Sequence, residues 1–401
     1  MASSQQAPVE VFLRQGRERR IRAGHLWVYS NEIDTDRSQL RDVEAGAPAR
    51  FMAGSKCLGH GYINPHSLIA GRLLEHGEKA HPVASLLVHR LNVALSLRER
   101  LYDAPYYRLV FGEGDGLPGL VLDRFDDVLV GQIGTAGMEL LRPEIEAAVQ
   151  QVLKPRALLW KNDSSMRQLE GLNSEVVSAF GEFPDDIDVL EQGLRLRSSA
   201  LEGQKTGWFY DQTANRERIA PLVRGARVLD LFSYVGAWGL ISGALGAAEV
   251  TCVDSSAWAL KRVADSALAN DLVGTVRAEQ ADAFEFLKAA IAERRRWDVV
   301  IVDPPAFIKR KKDGKAGAEA YRRINELAMR VLDRDGFLVT CSCSMHYPAD
   351  RMQDMLRAAG RHLDRDVQFL HTLEQGPDHP VHPAIPETRY LKGMIARVTH
   401  R

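Results

Sequence analysis

The chain has few cysteines, no long apolar run and almost no net charge. Its four cysteines, at positions 57, 252, 341 and 343 of 401 residues, are too few for a disulfide framework and favour a reducing cytoplasm. No stretch approaches the ~20 apolar residues of a membrane-spanning helix. The amino-terminal MASSQQAPVEVF lacks the basic and apolar regions of a signal peptide. We therefore expect a soluble, cytoplasmic protein that contacts no membrane.

The balance of charge limits which partners the chain can bind. Lys and Arg number 52 against 53 Asp and Glu, a formal net charge of -1, which excludes a globally basic nucleic-acid binder. Any nucleic-acid surface must therefore segregate its charges. With 45% hydrophobic residues the chain is too apolar to be disordered, and its length predicts two or three packed domains.

The first predicted domain covers residues 1–76. It opens with the arginine-rich RQGRERRIRAGH and the aromatic LWVYS, and short alternating, glycine-containing segments continue to about Arg72. This pattern is typical of a small β-barrel. The arginine run taken alone is more often a solvated surface than a binding site, so it does not decide the function.

The second predicted domain, residues 77–188, is a compact α+β unit. Apolar residues at helical spacing predict helices over 83–100 and about 140–153, and ALLWKND predicts a strand. GEGDGLPG has the glycines of a phosphate-binding loop, but no Lys-Ser/Thr follows it. We interpret it as the turn of a hairpin.

The third predicted domain, residues 189–401, alternates buried strands with amphipathic helices. Continuous Val/Ile/Leu runs at 226–232, 248–254, 275–280, 298–303 and 336–342 predict a parallel sheet covered on both faces. Two more strand-like segments, VQFLHTL and LKGMIARV, are joined by a loop too short for a parallel crossover. They predict an antiparallel hairpin at the edge of the sheet.

Acidic residues follow three strands of this sheet in succession, at the carboxyl ends where such folds bind ligands. Asp230 begins a turn with Gly236 and Gly239, Asp254 follows the second strand, and Asp282 the third. A dinucleotide would need G-x-G-x-x-G and would be repelled by Asp230. The cationic S-adenosylmethionine suits that carboxylate, and Asp254 can accept both ribose hydroxyls. The alternative is that these residues only cap the following helices.

The fourth and fifth strands end in Asp303-Pro304-Pro305 and in Cys341-Ser-Cys343. Two prolines after a buried strand fix the direction of Asp303. If the two strands are neighbours, ~4.8 Å apart, Asp303 and the cysteine end face one pocket. Cys341 lies within the strand and fits a core position, so we assign Cys343 to the pocket.

A basic loop and a group of histidines remain. Residues 309–315 hold five cations beside the predicted pocket, which suggests a phosphate-backbone contact, although a solvated loop explains this run equally well. Together with the amino-terminal arginines, the loop favours a polyanionic substrate. His371, His379 and His382 are close in sequence, but no cysteine or carboxylate set completes a metal site, so we expect no metal.

Motifs along nearly the whole chain resemble the three-domain bacterial RNA cytosine-5 methyltransferases of the RlmI type, which modify large-subunit ribosomal RNA. RRIRAGHLWVYSNEI is similar to the opening of their PUA domain and GEGDGLPGLVLDRF to a signature of their central domain. GQKTGWFYDQ, VLDLFSYVGAWGL, VDPPAFIK, TCSCS and DHPVHPAIPETRYLKG follow in the family's order. Many RNA cytosine-5 methyltransferases carry a second cysteine where this chain has Ala306, so product release here requires another base.

The resemblance implies a PUA-like barrel, an α+β domain and a Rossmann-like α/β methyltransferase domain. It implies that the Cys343 thiolate adds to C6 of cytosine while Asp303 holds the N3/N4 edge. The base must leave its stack, at a cost of a few kcal/mol. The alternatives are an N-methyltransferase acting on an RNA base amine, with Cys343 structural, and a non-catalytic RNA-binding or ribosome-assembly factor.

These arguments together predict the functional residues. The partner is large-subunit ribosomal RNA, and the sequence is compatible with a homodimer. The predicted S-adenosylmethionine-binding residues are Gln212, Asp230, Phe232, Ser233, Gly236, Asp254, Ser255, Asp282, Ala283 and Asp303. The predicted RNA-binding residues are Arg19, Arg20, Arg22, Trp27, Lys205, Lys309, Arg310, Lys311 and Lys312.

Overall fold

The computed structural model describes residues 7–401. Residues 1–6, where the predicted first domain and the segment tested for a signal peptide begin, lie outside the described residues. The chain forms two compact units, each built from several segments. Unit 1 comprises residues 1–185, 200–208 and 378–388, and unit 2 comprises 186–199, 209–377 and 389–401. The division into three domains stays a prediction.

Unit 1 begins with a five-stranded sheet in the order β1-β3-β4-β5-β2. β1 runs parallel to β3, and the other pairs are antiparallel. Gly71 is required here because a Cβ would lie 2.4 Å from the Phe51 ring of the core. The strands are β1 (Val9–Phe12), β2 (Trp27–Val28), β3 (Ala47–Ala53), β4 (Lys56–Ile63) and β5 (Gly71–His76), with helix α1 (Glu18–Arg22) between β1 and β2.

A second five-stranded sheet in unit 1 has the order β10-β9-β8-β7-β6. The strands are β6 (Tyr106–Phe111), β7 (Leu120–Phe125), β8 (Val128–Ile133), β9 (Ala157–Asn162) and β10 (Glu175–Phe180). β6 and β7 form an antiparallel hairpin, as GEGDGLPG predicts, with a short 3-10 helix at Gly112–Asp115 in the turn. This sheet has its own apolar core around Leu120, Leu122 and Trp160.

The helices of this region differ from the sequence prediction in one respect. Helix α2 (Val83–Leu101) is where it was predicted, and the helix predicted at about 140–153 is confirmed, but a short helix that was not predicted precedes it. The structure has two helices, α3 (Ala136–Leu140) and α4 (Arg142–Val152). Pro143 lies in the first turn of α4, where its missing N–H costs nothing, and it favours a new helix start over continuation of α3.

Unit 2 contains a small hairpin and a seven-stranded sheet. The hairpin consists of β11 (Ile187–Glu191) and β12 (Leu194–Ser198). The sheet has the order β15-β14-β13-β16-β17-β19-β18. Its strands are β13 (Arg227–Leu231), β14 (Glu249–Asp254), β15 (Val276–Gln280), β16 (Trp297–Val302), β17 (Leu332–Ser342), β18 (Arg365–Glu374) and β19 (Lys392–His400).

The first five strands of this sheet are parallel, as predicted, and β18 and β19 form the predicted antiparallel hairpin at its edge. β17 begins at Leu332, four residues earlier than predicted: Leu332 pairs with Trp297, and a register shift separates this pair from the pairing of Phe337 with Val299. The strand order reverses between β13 and β16, so the carboxyl ends of these strands flank a crevice typical of ligand sites.

Seven helices accompany the strands of unit 2. In α10, Tyr321, Ile324, Ala328 and Val331 recur at helical spacing and are buried, so one face of this helix packs into the apolar core. The helices are α5 (Thr213–Glu217), α6 (Ala220–Val223), α7 (Ala237–Ala244), α8 (Ala257–Ala269), α9 (Ala283–Ala292), α10 (Gly314–Val331) and α11 (Ala349–His362).

None of the helices in residues 7–401 is long and apolar enough to cross a membrane. Within the same residues, no group of three or more His, Cys, Asp or Glu side chains is placed to hold a metal ion.

Candidate active site

The turn from β13 into α7 is unusually tight. Phe232 and Tyr234 adopt positive φ angles of 60° and 50°, and Gly236 has a φ of 81°. Non-glycine residues rarely adopt this conformation, and two of them in one turn mark a strained backbone of the kind that occurs at functional sites. At Gly239 a Cβ would lie 2.3 Å from Cys252 Sγ, so only glycine brings its amide close to β13 and β14.

Asp230 lies in β13, just before this turn, and is fully buried. Its Oδ2 accepts a hydrogen bond of 2.9 Å from the Gly239 amide. Burial, with further contributions from the charges of Asp303 and Asp254, raises the pKa of Asp230 well above its usual range. Asp230 Oδ1 and the neighbouring Ser233 Oγ are buried and have no hydrogen-bond partner within the described residues. Buried polar atoms without hydrogen bonds destabilise the folded protein unless a ligand bonds to them. A cationic ligand would also favour the carboxylate form of Asp230.

Asp254 is the last residue of β14, and Asp282 lies two residues after the end of β15. Asp254 accepts hydrogen bonds from the amides of Tyr234 (2.8 Å) and Ser256 (2.9 Å), which ties the β13 turn to the end of β14. It remains partly exposed, beside the exposed Ser255. Asp282 caps α9, as the helix-cap alternative requires, because its Oδ1 accepts from the Phe284 and Glu285 amides.

Aromatic rings line the region between these acidic residues and the end of β16. The Phe307 ring centroid lies 6.3 Å from that of Phe232 and 6.2 Å from that of Phe284. It lies 4.8 Å from that of Tyr321. Ala283, at the first position of α9, is buried. The acidic strand ends thus adjoin a cluster of aromatic side chains, and apolar, aromatic linings are common in ligand sites.

Asp303 follows β16 directly and is held by two side-chain donors. Gln212 Nε2 lies 3.0 Å and Trp238 Nε1 3.1 Å from Asp303 Oδ2. Gln212 is itself oriented, because its Oε1 accepts a 2.7 Å hydrogen bond from Asn215. Burial raises the pKa of Asp303 from 3.8 to about 6, although both donors oppose this shift. Asp303 can therefore exist as an acid or as a carboxylate near neutral pH.

Cys341, near the end of β17, and Cys343, just beyond it, have different surroundings. β17 is a neighbour of β16 in the sheet, with Thr340 opposite Val302. Cys341 is fully buried, and burial raises the pKa of its thiol well above its usual range. Cys343 lies just past the end of the strand and is partly exposed. A thiol that is to attack an external molecule must be reachable, which favours Cys343.

Tyr321 links the segments that carry Asp303 and Cys343. Its hydroxyl is 2.8 Å from both Ser342 Oγ and Ser344 Oγ, the residues on either side of Cys343. Ser344 Oγ also accepts a 3.1 Å hydrogen bond from the Ile308 amide, in the segment that follows Asp303. These contacts fix the two segments relative to each other.

Two residues that make contacts in this region, Trp238 and Tyr321, were missed by the sequence interpretation. Trp238 was quoted within a motif but given no role, although the N–H of a buried tryptophan needs an acceptor and an acid was predicted nearby. Tyr321 lies in the middle of a helix and gives no comparable signal.

The predicted RNA-binding residues are distributed over both units. In unit 1, Arg19, Arg22 and Lys205 are exposed. Arg20 instead donates to Glu32 Oε1 (3.2 Å), and Trp27 Nε1 donates to Glu113 Oε1 (2.8 Å). In unit 2, the four exposed basic residues that precede α10 are Lys309, Arg310, Lys311 and Lys312.

Comparison with known proteins agrees with this geometry. A family model described as a PUA-like domain matches residues 11–76, and one described as an S-adenosylmethionine-dependent methyltransferase matches residues 168–396. The ribosomal RNA large subunit methyltransferase I of Shewanella denitrificans is 34% identical over 396 residues, which cover 97% of this chain and 99% of the relative. The ribosomal RNA large subunit methyltransferase I of Aliivibrio fischeri is 33% identical and likewise covers 97% of this chain and 99% of the relative.

Solved structures of methyltransferases share the fold. A protein described as a SAM-dependent methyltransferase from Streptococcus mutans superposes with a TM-score of 0.82 at 19% identity, covering 97% of this chain and 100% of that chain. A methyltransferase complexed with SAH superposes with a TM-score of 0.83 at the same identity and coverage. The predicted fold class and the predicted cofactor, S-adenosylmethionine, are confirmed. The chain belongs to the S-adenosylmethionine-dependent methyltransferases, in the family of the ribosomal RNA large subunit methyltransferases I, and carries a PUA-like domain near its amino-terminal end.

Proposed function

We propose that this protein methylates C5 of a cytosine in large-subunit ribosomal RNA through a covalent bond between Cys343 and C6. The ribosomal RNA substrate is carried over from the relatives, whose names state it. The cytosine chemistry rests on one observation of the site. A partly exposed cysteine and an acid whose pKa is raised to about 6 follow adjacent parallel strands.

Asp230, Ser233 and Asp254 are the residues that we expect to hold S-adenosylmethionine. The buried, unpaired Asp230 Oδ1 and Ser233 Oγ fit the polar, cationic end of this cofactor. Asp254 retains acceptor capacity for ribose hydroxyls, because a carboxylate has about four lone-pair sites and two are used. Phe232, Gly236, Ser255, Asp282, Ala283 and Gln212 complete the predicted site. When bound, the cofactor supplies a methyl group on a positively charged sulfur.

Asp303 is the residue that we expect to orient the base. Its two hydrogen bonds both end on Oδ2, which leaves Oδ1 to meet the target. As a carboxylate it can accept from the N4 amino group of cytosine, and as an acid it can share a proton with N3. A pKa of about 6 makes both forms accessible and favours electron withdrawal from the ring.

Cys343 is the residue that we expect to activate the ring. C5 of cytosine is a poor nucleophile, and addition of the thiolate to C6 makes C5 electron-rich. After the methyl group is in place, a base other than Cys343 must take the C5 proton as the S–C6 bond breaks, which returns the thiolate. Cys341 is fully buried in the strand and a poor candidate for this attack.

The exposed basic residues are candidates for the RNA contact. Arg19 and Arg22 on α1, Lys205, and the segment before α10 carry positive charge into solvent. Contacts of this kind to phosphates can offset the few kcal/mol needed to unstack the target base.

RNA that contains 5-fluorocytidine tests this proposal, because fluorine at C5 prevents the final proton loss and traps the adduct. Wild-type protein with S-adenosylmethionine should form a complex that survives denaturation. Cys343→Ala should abolish it, and the matched Cys341→Ala should retain it. An adduct that depends on Cys341 would refute the assignment of the nucleophile. Methyl transfer with no adduct would favour methylation of a base amine.

A further inference from the structure

Lys392, the first residue of β19, lies beside the segment that carries Cys343. β19 pairs with β17, Lys392 opposite Ser342. Lys392 Nζ donates a hydrogen bond of 2.5 Å to the carbonyl oxygen of Ser344, the residue that follows Cys343. The side chain is mostly buried, so its ammonium group is held in one place rather than free in solvent.

We propose that the Lys392 ammonium holds Cys343 as a thiolate. This inference rests on the proposed role of Cys343 as nucleophile and names the group that stabilises its thiolate. Lys392 acts through Cys343 and need not touch the RNA, so it is a positioning residue.

The electrostatics of the pair support this inference. Burial lowers the pKa of Lys392 from 10.5 to about 8, and the charge of Cys343 opposes that shift. The coupling is reciprocal: if a Cys343 thiolate favours the ammonium, the ammonium favours the thiolate by the same free energy. Since Lys392 remains mostly protonated at pH 7, the thiol proton is released to solvent and the ammonium remains as the counter-ion.

Other titratable groups near Lys392 are weaker candidates than Cys343 for the partner of its charge. Glu374 lies opposite Lys392 on β18, but its side chain is exposed and faces Arg389, with 3.8 Å between Oε2 and Nε. Tyr321 is hydrogen-bonded to the serines on either side of Cys343, and its raised pKa keeps it neutral at pH 7. His346 follows in the same segment. Of these groups, Cys343 is the one whose charge acts on the pKa of Lys392.

The simplest competing role for Lys392 is to hold the Ser344 carbonyl without any effect on Cys343. Lys392→Gln separates the two roles, because glutamine keeps an N–H donor but has no charge. Lys392→Arg keeps the charge. Arg389→Met is the matched control, since it removes a positive charge three residues away.

The measurement is the rate at which iodoacetamide alkylates Cys343 in the full-length protein as a function of pH, assigned by tandem mass spectrometry. Thiolate reacts and thiol does not, so the rate reports the charge state of Cys343. We expect Lys392→Gln to slow alkylation at pH 7 by about tenfold and to move the midpoint of the profile upward by about one pH unit. Lys392→Arg and Arg389→Met should remain within about twofold of wild type by the same scale.

An unchanged profile in Lys392→Gln would overturn the proposal. If that variant does not fold, a Lys392→Arg profile whose midpoint lies about one pH unit above that of the wild type would overturn it instead. Alkylation needs no RNA, so this test is independent of the proposed function. A shifted profile without any 5-fluorocytidine adduct would refute the function and leave the Lys392–Cys343 coupling intact.

Discussion

Gln212 donates a 3.0 Å hydrogen bond to Asp303, although 91 residues separate them in the chain. Trp238 donates to the same oxygen from α7, so two elements converge on one carboxylate. Asn215 holds the Gln212 amide in the orientation that presents its N–H groups. This arrangement fixes the direction of Asp303 and leaves its second oxygen for the base.

Asp303→Asn should reduce methyl transfer and change the pH dependence of stability. The folded-state pKa of about 6 exceeds the ordinary 3.8, so folding disfavours the carboxylate. The resulting loss in the free energy of unfolding is absent below pH 3.8, grows as the pH rises through 6 and is constant above that. It amounts to at most about 3 kcal/mol.

Thermal unfolding at several pH values, with single-turnover methylation, checks this prediction. The unfolding midpoint of Asp303→Asn should rise relative to wild type more at pH 8 than at pH 4. The rate of methyl transfer should fall by about 10²-fold or more, the usual contribution of a positioned acid or base. Equal stability differences at both pH values would contradict the account of the Asp303 pKa.

Asp230→Asn should weaken cofactor binding without unfolding the protein. The substitution removes a buried charge whose raised pKa already marks it as destabilising, so the apo protein should be as stable as wild type or more stable. Loss of a charge-assisted hydrogen bond should weaken S-adenosylmethionine binding by about 10- to 100-fold in titration calorimetry.

Asp298→Asn is the matched control for Asp230→Asn. Asp298 pairs with Arg227 near the amino ends of the same strands, away from the proposed site. Its substitution should leave the cofactor dissociation constant unchanged. Equal weakening in both variants would remove Asp230 from the site.

Arg19 and Arg20 are adjacent on α1 but should behave differently. Arg20 donates to Glu32 and to the Trp27 carbonyl, and stacks over the Tyr29 ring at 4.7 Å. Arg20→Ala should cost about 1–3 kcal/mol in the free energy of unfolding, while Arg19→Ala should stay within about 0.5 kcal/mol. In RNA titrations at matched salt, Arg19→Ala should weaken binding. If Arg20→Ala leaves stability unchanged, the contacts described for it are not important to folding.

The basic segment before α10 can be tested by the salt dependence of RNA binding. Replacing both Lys311 and Lys312 with alanine should lower affinity and reduce the slope of log K against log salt by about 0.7–0.9 for each phosphate that the segment no longer neutralises. Lys288→Ala, on the exposed face of α9 where Lys288 pairs with Glu285, should change neither. An unchanged slope in the double variant would exclude this segment from the RNA interface.

Much of the fold of unit 2 follows from local patterns. Continuous apolar runs predict the five parallel strands, and the short loop before LKGMIARV predicts the antiparallel edge. Their positions at the strand ends predict that Asp230 and Asp254 lie at the same edge of the sheet. These features depend on strand direction and burial, which a single sequence reveals.

The remaining features depend on packing between distant segments. Nothing in the sequence places Tyr321 between Ser342 and Ser344, or Lys392 against the Ser344 carbonyl, because the register of α10 and β19 against β17 decides these contacts. Likewise Arg20 belongs to an arginine run by sequence, but the fold brings Glu32 to it.

Release of tritium from cytosine C5 tests the central proposal most directly. RNA labelled at that position is incubated with the protein and S-adenosylmethionine, and tritium in water is compared with methyl groups transferred to the RNA. Methylation at C5 must expel the C5 hydrogen, so we predict one tritium released for each methyl group, and neither event with Cys343→Ala. Methyl transfer without tritium release would contradict C5 methylation.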